Sequence, residues 1–210
     1  MSAVIWVILA SVFFGTTGTT QTFAPPAAAP LSIGSVRMVT GGTLMALLGL
    51  VLHRRRTGRW PRFSAPRHGW RVPVALGLAA LGMAAYQVTF FAGTRANGVA
   101  VGTIVTLGAA PLVAGLCEWL VRRRRPGRPW FIATALAVAG VVLLSGGAAD
   151  VHLSGLALSA TAGAAYGAEM VALKIVLDQG WTSSDAVSWV MGLAAVATVP
   201  TLIAGDTSWL

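Results

Sequence analysis

An all-α integral membrane protein, built as a polytopic helical bundle, is the fold class this sequence predicts, and three observations predict it. Seven mostly apolar runs fill nearly the whole chain, each close to the roughly 20 residues a helix needs to cross a hydrocarbon core about 30 Å thick. Only 10% of the residues are charged and 56% are hydrophobic, whereas a soluble domain carries about 25% charge. The prolines and glycines that mark helix boundaries fall mainly in the short links between the runs. A soluble core accounts for one or two such runs but not for seven in succession, which excludes a water-soluble fold.

Each run is justified in turn. The first, 3–23, begins directly after Met1 and Ser2. It lacks the basic leader that a signal peptide needs, so it is expected as an uncleaved helix despite the small residues of APPAAAP that follow. Its outer half is polar, with Thr16, Thr17, Thr19, Thr20, Gln21 and Thr22. Pro25, Pro26 and Pro30 bracket the turn into the second run, 31–52, which carries Arg37. The third, 72–92, holds Tyr86 and Gln87; a short link at 93–96 leads to the fourth, 97–121. Pro111 lies inside that fourth run, where it frees a backbone carbonyl and can kink the helix, as a cavity-lining or a purely structural bend. The fifth run is 129–147, the sixth 153–176 with Tyr166, Glu169 and Lys174, and the seventh 184–204.

The net charge of +9 invites a nucleic-acid reading, but the positions of the charges oppose it. Seven of the 15 basic residues lie in 53–71 and five in 122–128, leaving only Arg37, Arg95 and Lys174 elsewhere. Both links fall on the same side of the membrane, and an excess of Arg and Lys in short loops marks the cytoplasmic side. Trp60 and Trp70 among these arginines suit headgroup-level anchors. The N-terminus is therefore expected in the cytoplasm, with the links 24–30, 93–96 and 148–152 outside, in a multi-pass inner (plasma) membrane protein. The one cysteine, Cys117, excludes an intramolecular disulfide and offers no metal cluster.

Small residues recur where helices must approach closely. Gly98-Val-Ala-Val-Gly102 and Gly163-Ala-Ala-Tyr-Gly167 are both GxxxG, which lets backbones pack without a hydrophobic driving force between helices. The first and sixth runs also share an aromatic–glycine pair, Phe14-Gly15 and Tyr166-Gly167. Those runs start on opposite sides of the membrane, as an odd-numbered repeat unit inserted upside down requires.

The stretch Ala29-Pro30-Leu31-Ser-Ile-Gly-Ser-Val-Arg37, and the longer one from Phe90 through Pro111, resemble the EamA family of the drug/metabolite transporter superfamily. Trp130 to Leu144 resembles the fifth helix of its first repeat, and Leu153 to Val176 the opening helix of its second. The resemblance implies inverted five-helix repeats and transport of small metabolites or drugs, typically outward. On that pattern 1–147 is the first repeat and 153–210 an incomplete second one. The chain departs from the family in carrying Arg122 to Arg125 where members commonly have an acidic residue. Ten spans need about 300 residues, so the expectation is a fragment of a longer polypeptide, with a natural short form that pairs with something as the alternative.

Within a bilayer an ionisable side chain is a functional candidate by default. Glu169 leads, deep in the sixth run, with Tyr166 three residues earlier on the same face and Lys174 rotated away. It suits proton coupling or substrate binding, or pairing with a polar group on another helix. The four-helix multidrug exporters of the superfamily are similar in placing a membrane Glu in their first helix. Glu118 lies four residues before Arg122, the spacing of an end-of-helix ion pair. Arg37 suits either an anionic substrate group or an outer headgroup. Tyr86 and Gln87 are expected to face the interior, and Thr16 and its neighbours either line a path or bond back to their own helix.

No HExxH, GxSxG, phosphate-binding loop or Cys/His cluster occurs, so neither an enzyme nor a cofactor is expected, and ATP-driven transport by this chain is not either. The implied partners are a small-molecule substrate and the lipid bilayer, with protons as coupling ion and a homodimer as further candidates, and no nucleic acid. The rival from another class is a non-transporting membrane subunit that assembles with a partner through its GxxxG faces. Topology is checked with single cysteines in a Cys117→Ala background. An impermeant maleimide added to intact cells should label Ala149→Cys and leave Ser64→Cys unlabelled until the membrane is opened; the reverse pattern inverts the topology.

Overall fold

Hydrocarbon offers no water to backbone N–H and C=O groups, so a chain this apolar satisfies them inside helices. The computed structural model describes residues 3–21, 23, 29–60, 70–123, 127–145 and 151–205, and among them the regular structure is entirely helical. The helices are α1 (Ala3–Gln21), α2 (Pro30–Thr57), α3 (Arg71–Arg122), α4 (Arg128–Ser145), α5 (Leu153–Asp178) and α6 (Ser183–Ala204). Stretches of α2, α3, α5 and α6 are long and apolar enough to cross a membrane. Thr22, Pro25, Pro26, most of the basic link at 61–69 and Arg124 and Arg125 lie outside the described residues, as do the side chains of Thr19, Thr20, Gln21 and Arg122.

Local chemistry sets the ends. Pro30 opens α2, where a missing N–H costs nothing. Gly58, left-handed at φ 69°, closes it with its N–H on the Arg54 carbonyl at 2.8 Å. Arg54, Arg55 and Arg56 fill its last turn, where positive charge suits the helix dipole. Thr182 caps α6: its hydroxyl accepts from the Asp185 N–H at 3.2 Å and donates to that side chain at 2.8 Å.

The third and fourth runs meet in α3, whose 52 residues would extend about 78 Å if straight. They do not run straight. Gly98 stands at φ 80°, ψ 158°, a region open essentially to glycine alone. A β-carbon built on Gly102 would lie 2.8 Å from the Thr94 Cα, whereas residues eight apart in a straight helix are about 12 Å apart. The halves 71–97 and 99–122 therefore form a hairpin. The outer link expected at 93–96 is helical instead, because one glycine reverses the chain and no multi-residue loop is needed. Pro111 is exposed and does not interrupt the helix. Its carbonyl accepts from the Trp130 indole N–H at 3.0 Å, while that ring lies against Gly115 and seats α4 on α3.

Helix α5 lies against both arms of the hairpin. Gly163 meets the Thr106 carbonyl and Ala109, and Gly167 meets Ala110 and Ala114, all on the second arm. On the first arm, a β-carbon at Gly82 would stand 2.9 Å from the Ala165 carbonyl oxygen and 3.0 Å from the Glu169 Cβ. Thr106 donates to the Ser159 carbonyl at 3.0 Å. At the Gly98 end of the hairpin Asn97 clamps His152, donating to its carbonyl at 2.9 Å and accepting from its N–H at 2.8 Å. Of the two GxxxG segments, the second packs on α3 through both Gly163 and Gly167, whereas in the first Gly102 packs on Thr94 and Gly98 is the turn itself, with nothing within 4 Å of the position of a β-carbon, because its backbone leaves the helix there.

A second pair, α2 with α6, is pinned at both ends. Ser35 and Thr201 share a hydrogen bond of 2.8 Å near the Pro30 end of α2, and His53 Nδ1 lies 3.0 Å from Asp185 Oδ1 near its Gly58 end. Apolar packing joins the two pairs. Val72, Ala75, Leu76 and Ala79 of α3 bury against Ala172 and Val176 of α5 and Ala186 and Val190 of α6. Helices α1 and α4 lean on α3 from outside, and the apolar faces of α1 from Val4 to Phe14 are exposed.

Gly167→Val should push α5 off the second arm, at a cost of about 1–3 kcal/mol for overpacking. Gly15→Val is the matched control, since nothing lies within 4 Å of the β-carbon it would add. Thermal unfolding in detergent should show a lowered transition for the first and an unchanged one for the second.

Candidate functional site

The helical period collects the polar and aromatic side chains of the inner faces. Gly82, Tyr86 and Phe90 recur every four residues on one face of α3, and Tyr166 and Glu169 share a face of α5. Where the faces meet, the Tyr86 and Tyr166 rings stand 5.3 Å apart. The aromatic row continues outward, with Tyr86 stacked on Phe90 at 5.4 Å and Phe90 edge-on to Phe91 at 5.5 Å. Arg37 of α2 ends the row, its guanidinium 5.6 Å from the centre of the Phe91 ring, a cation–π geometry. Tyr86, Phe90 and Phe91 are buried.

At the inner end of this row Glu169 is only 4% exposed, and its Oε2 has no hydrogen-bond partner among the described residues. Gln87, 5% exposed, likewise leaves its Oε1 without a donor. A buried polar group without a partner costs about 1–3 kcal/mol, and a charged one more, so Glu169 is a position that packing alone does not explain. Gly82 builds the site: its missing side chain brings the α5 backbone close at the stem of Glu169. Toward the N-terminal end of α3, a cleft of about 480 Å³ is lined by Val74, Leu78, Val121, Ala172, Ile175 and Arg71 among others. Leu78 and Ala172 each lie about one helical turn inward of Gly82 and Glu169 on the same helices.

The structure brings Tyr86, Tyr166 and Glu169 together, buries Gln87 beside Tyr86 in sequence, and ties Arg37 to the group through Phe91. It does not bring Thr16 there. Thr16 is exposed on α1 and donates to the Phe13 carbonyl of its own helix at 2.8 Å. Tyr166 turns its ring to Tyr86. Glu118 receives Lys174 of α5 at 2.9 Å, so the lysine expected to reach for the inner surface binds a second helix instead. Five residues beyond Glu169, it is directed to the other arm of the hairpin. Phe90, Phe91 and Gly82 belong to the site and were not singled out from sequence, although the four-residue spacing of Gly82, Tyr86 and Phe90 was there to be read. Among the described residues no group of three or more His, Cys, Asp or Glu side chains assembles as a metal site.

With this geometry in view, comparison with known proteins is informative. The model of the EamA-like transporter family matches residues 1–146. Over 209 residues, 98% of its length, the chain is 35% identical to the uncharacterized transporter YwfM of Bacillus subtilis (strain 168), and it spans 66% of that relative's length. No solved structure matches the chain.

The Lys174–Glu118 pair joins α5 to the second arm of α3, and each partner is partly exposed. Lys174→Met should lower thermal stability by about 1 kcal/mol, and the double change with Glu118→Gln should recover most of that loss. Additive losses would mean that the two side chains act independently.

Proposed function

The chain belongs to the EamA-like transporter family, and on that premise we propose that it acts as a secondary-active exporter of small metabolites or drugs, with Glu169 as its coupling group. The observation that carries the reading is the Glu169 carboxyl, buried between α3 and α5 with an oxygen that no described group satisfies. A carboxyl in that position can hold a proton or a substrate group, and if it cannot hold both at once it links the movement of one to the other. The inner cleft, one turn below it, supports access from the cytoplasmic side. Arg54, Arg55, Arg56 and Arg59 at the inner end of α2 support an inner-membrane protein with a cytoplasmic N-terminus.

Alternating access on this reading rocks the unit 1–147 against the unit that begins at 153, the two being inverted repeats. The contacts between them fall into two sets. His53–Asp185 and Glu118–Lys174 close the inner end, and Asn97–His152 and Ser35–Thr201 close the outer end. Opening to one side requires one set to part while the other holds. The close packing of Gly163 and Gly167 on α3 within the chain favours this reading over a subunit that assembles through that GxxxG face.

Glu169→Gln in the native protein, reconstituted in vesicles, tests the coupling role. Substrate flux by the unaltered protein should respond to an imposed pH gradient, and flux by the variant should be slow and indifferent to it. A variant whose pH profile matches the unaltered protein would remove Glu169 from the mechanism.

A further inference from the structure

The cleft of about 480 Å³ beside the first turns of α3 differs from the packed interface around it. Arg71, Val74 and Leu78 recur at three- and four-residue spacing on one face of α3, so that face descends from a cation to an apolar wall over about 10 Å. Val121 of the second arm and Ala172 and Ile175 of α5 complete the walls. Much of this surface is open: Val74 is 45% exposed, and Leu78 and Val121 are each 58% exposed. Trp70 stands exposed at the lip, where an amphipathic ring suits the headgroup level of a bilayer.

The charges at the lip are unequal. Arg71 has no hydrogen-bond or ion-pair partner among the described residues, whereas Asp178, the acid on the lining, is already engaged. Helix α3 begins at Arg71 with no acid in its first turn, so the positive end of its dipole adds to that cation. Val121 leads directly into Arg122 to Arg125. Arg54, Arg55 and Arg56 close α2 at the same end of the bundle, since His53 meets Asp185 and Ala186 packs with Val72 and Val176. Positive charge over an apolar slot that opens to the bilayer complements a phosphodiester head on acyl chains.

We propose that this cleft holds one anionic phospholipid, with its phosphate at Arg71 and the upper part of an acyl chain against Val74, Leu78, Val121 and Ile175. A lipid of no net charge covers the walls equally well but brings a cation of its own to a lip that is already positive. A soluble phosphate satisfies Arg71 and leaves the walls uncovered. Lipid binding here is independent of the transport reading; on that reading the lipid has to shift before a substrate enters through the cleft.

Native mass spectrometry of the full chain, released from a neutral detergent, counts bound lipids one at a time. The probes are dioleoylphosphatidylglycerol and dioleoylphosphatidylcholine, which share chains and phosphate and differ in net charge. The first phosphatidylglycerol should bind about five- to tenfold more tightly than the first phosphatidylcholine. Arg71→Gln should remove most of that preference, and Arg71→Lys, which keeps the charge, should retain it. Arg59→Gln removes the same charge from an exposed position off the cleft lining and should leave the first affinity within about twofold. Val74→Trp fills the cleft with the charge unaltered and should weaken the first phosphatidylglycerol by about tenfold. Excess glycerol 3-phosphate, which has the charge but no chains, should not displace it.

Equal affinity for the two lipids, a preference that survives Arg71→Gln, an equal loss with Arg59→Gln, or an unchanged affinity with Val74→Trp would each overturn the assignment, leaving only a general attraction of this basic end for anionic lipid. Displacement by glycerol 3-phosphate would overturn it too, and would make the cleft a site for soluble organic phosphate.

Discussion

The approach of α5 to the α3 hairpin is the contact on which the rest of the structure depends. In a bilayer the apolar side chains gain nothing by leaving lipid for each other, so helices associate through close van der Waals fit and interhelical hydrogen bonds. Here the fit is made by glycine. Gly163 and Gly167 let the α5 backbone rest on the carbonyls of Thr106 and Ala110, and Gly82 lets the first arm come to the stem of Glu169. The geometry of the site follows from this contact. With Gly82 beside Glu169, the side chains one turn outward, Tyr86 on α3 and Tyr166 on α5, are brought face to face. The hairpin itself hangs on Gly98, whose positive φ reverses the chain in one residue and so lets both arms flank the same helix.

Two carboxylates in neighbouring helices show what the surroundings decide. Glu118 and Glu169 are the only glutamates in the chain, and both lie at the interface of α3 with α5. Glu118 is partly exposed toward the inner end and is met by Lys174; removing either partner there costs little because solvent and headgroups compensate. Glu169 is deeper, 4% exposed, and its Oε2 has no hydrogen-bond partner among the described residues. Lys174, on the same helix, is turned to the other glutamate by its five-residue offset. A stable bundle does not need Glu169 to be a carboxylate, since an apolar residue of similar volume would avoid the desolvation cost altogether. The residue is therefore read for what its chemistry does and not for what it holds together.

The fold was legible in the sequence to the extent that bilayer thickness constrains it. Run length alone located the helices, since the seven apolar runs correspond to six helices with α3 counted twice. Proline at position 30 and the arginines after 53 marked the ends of α2 for reasons that act within a few residues. The outer turn between the third and fourth runs was placed too early, at 93–96, because hydropathy averages over a window and cannot see a single residue at φ 80°. The site was legible in part. An intramembrane carboxyl is conspicuous, and Tyr166 shares its face by spacing. Phe90 and Phe91 were hidden among other apolar residues, and their place in the row depends on which helix meets which. Lys174 was assigned to the membrane surface because the partner on α3 is 56 residues away in sequence and close only in space.

The faint likeness between the first and sixth runs acquires physical content from the packing. In α5 the pair Tyr166-Gly167 is used on both sides: the ring meets Tyr86, and the glycine admits the backbone at Ala110 and Ala114. In α1 the corresponding Phe14-Gly15 is on an open face, with nothing within 4 Å of the position a β-carbon would take at Gly15. A glycine inside a helix is unfavourable by about 1 kcal/mol relative to alanine, so at Gly167 the close contact offsets that cost, while at Gly15 no described residue does. If the two segments are inverted copies, the environment of Gly167 describes what Gly15 is shaped to receive, namely a helix backbone crossing at contact distance. The same relation would set α2 and α6 as each other's counterparts, and these two pack directly together from Ser35–Thr201 to His53–Asp185.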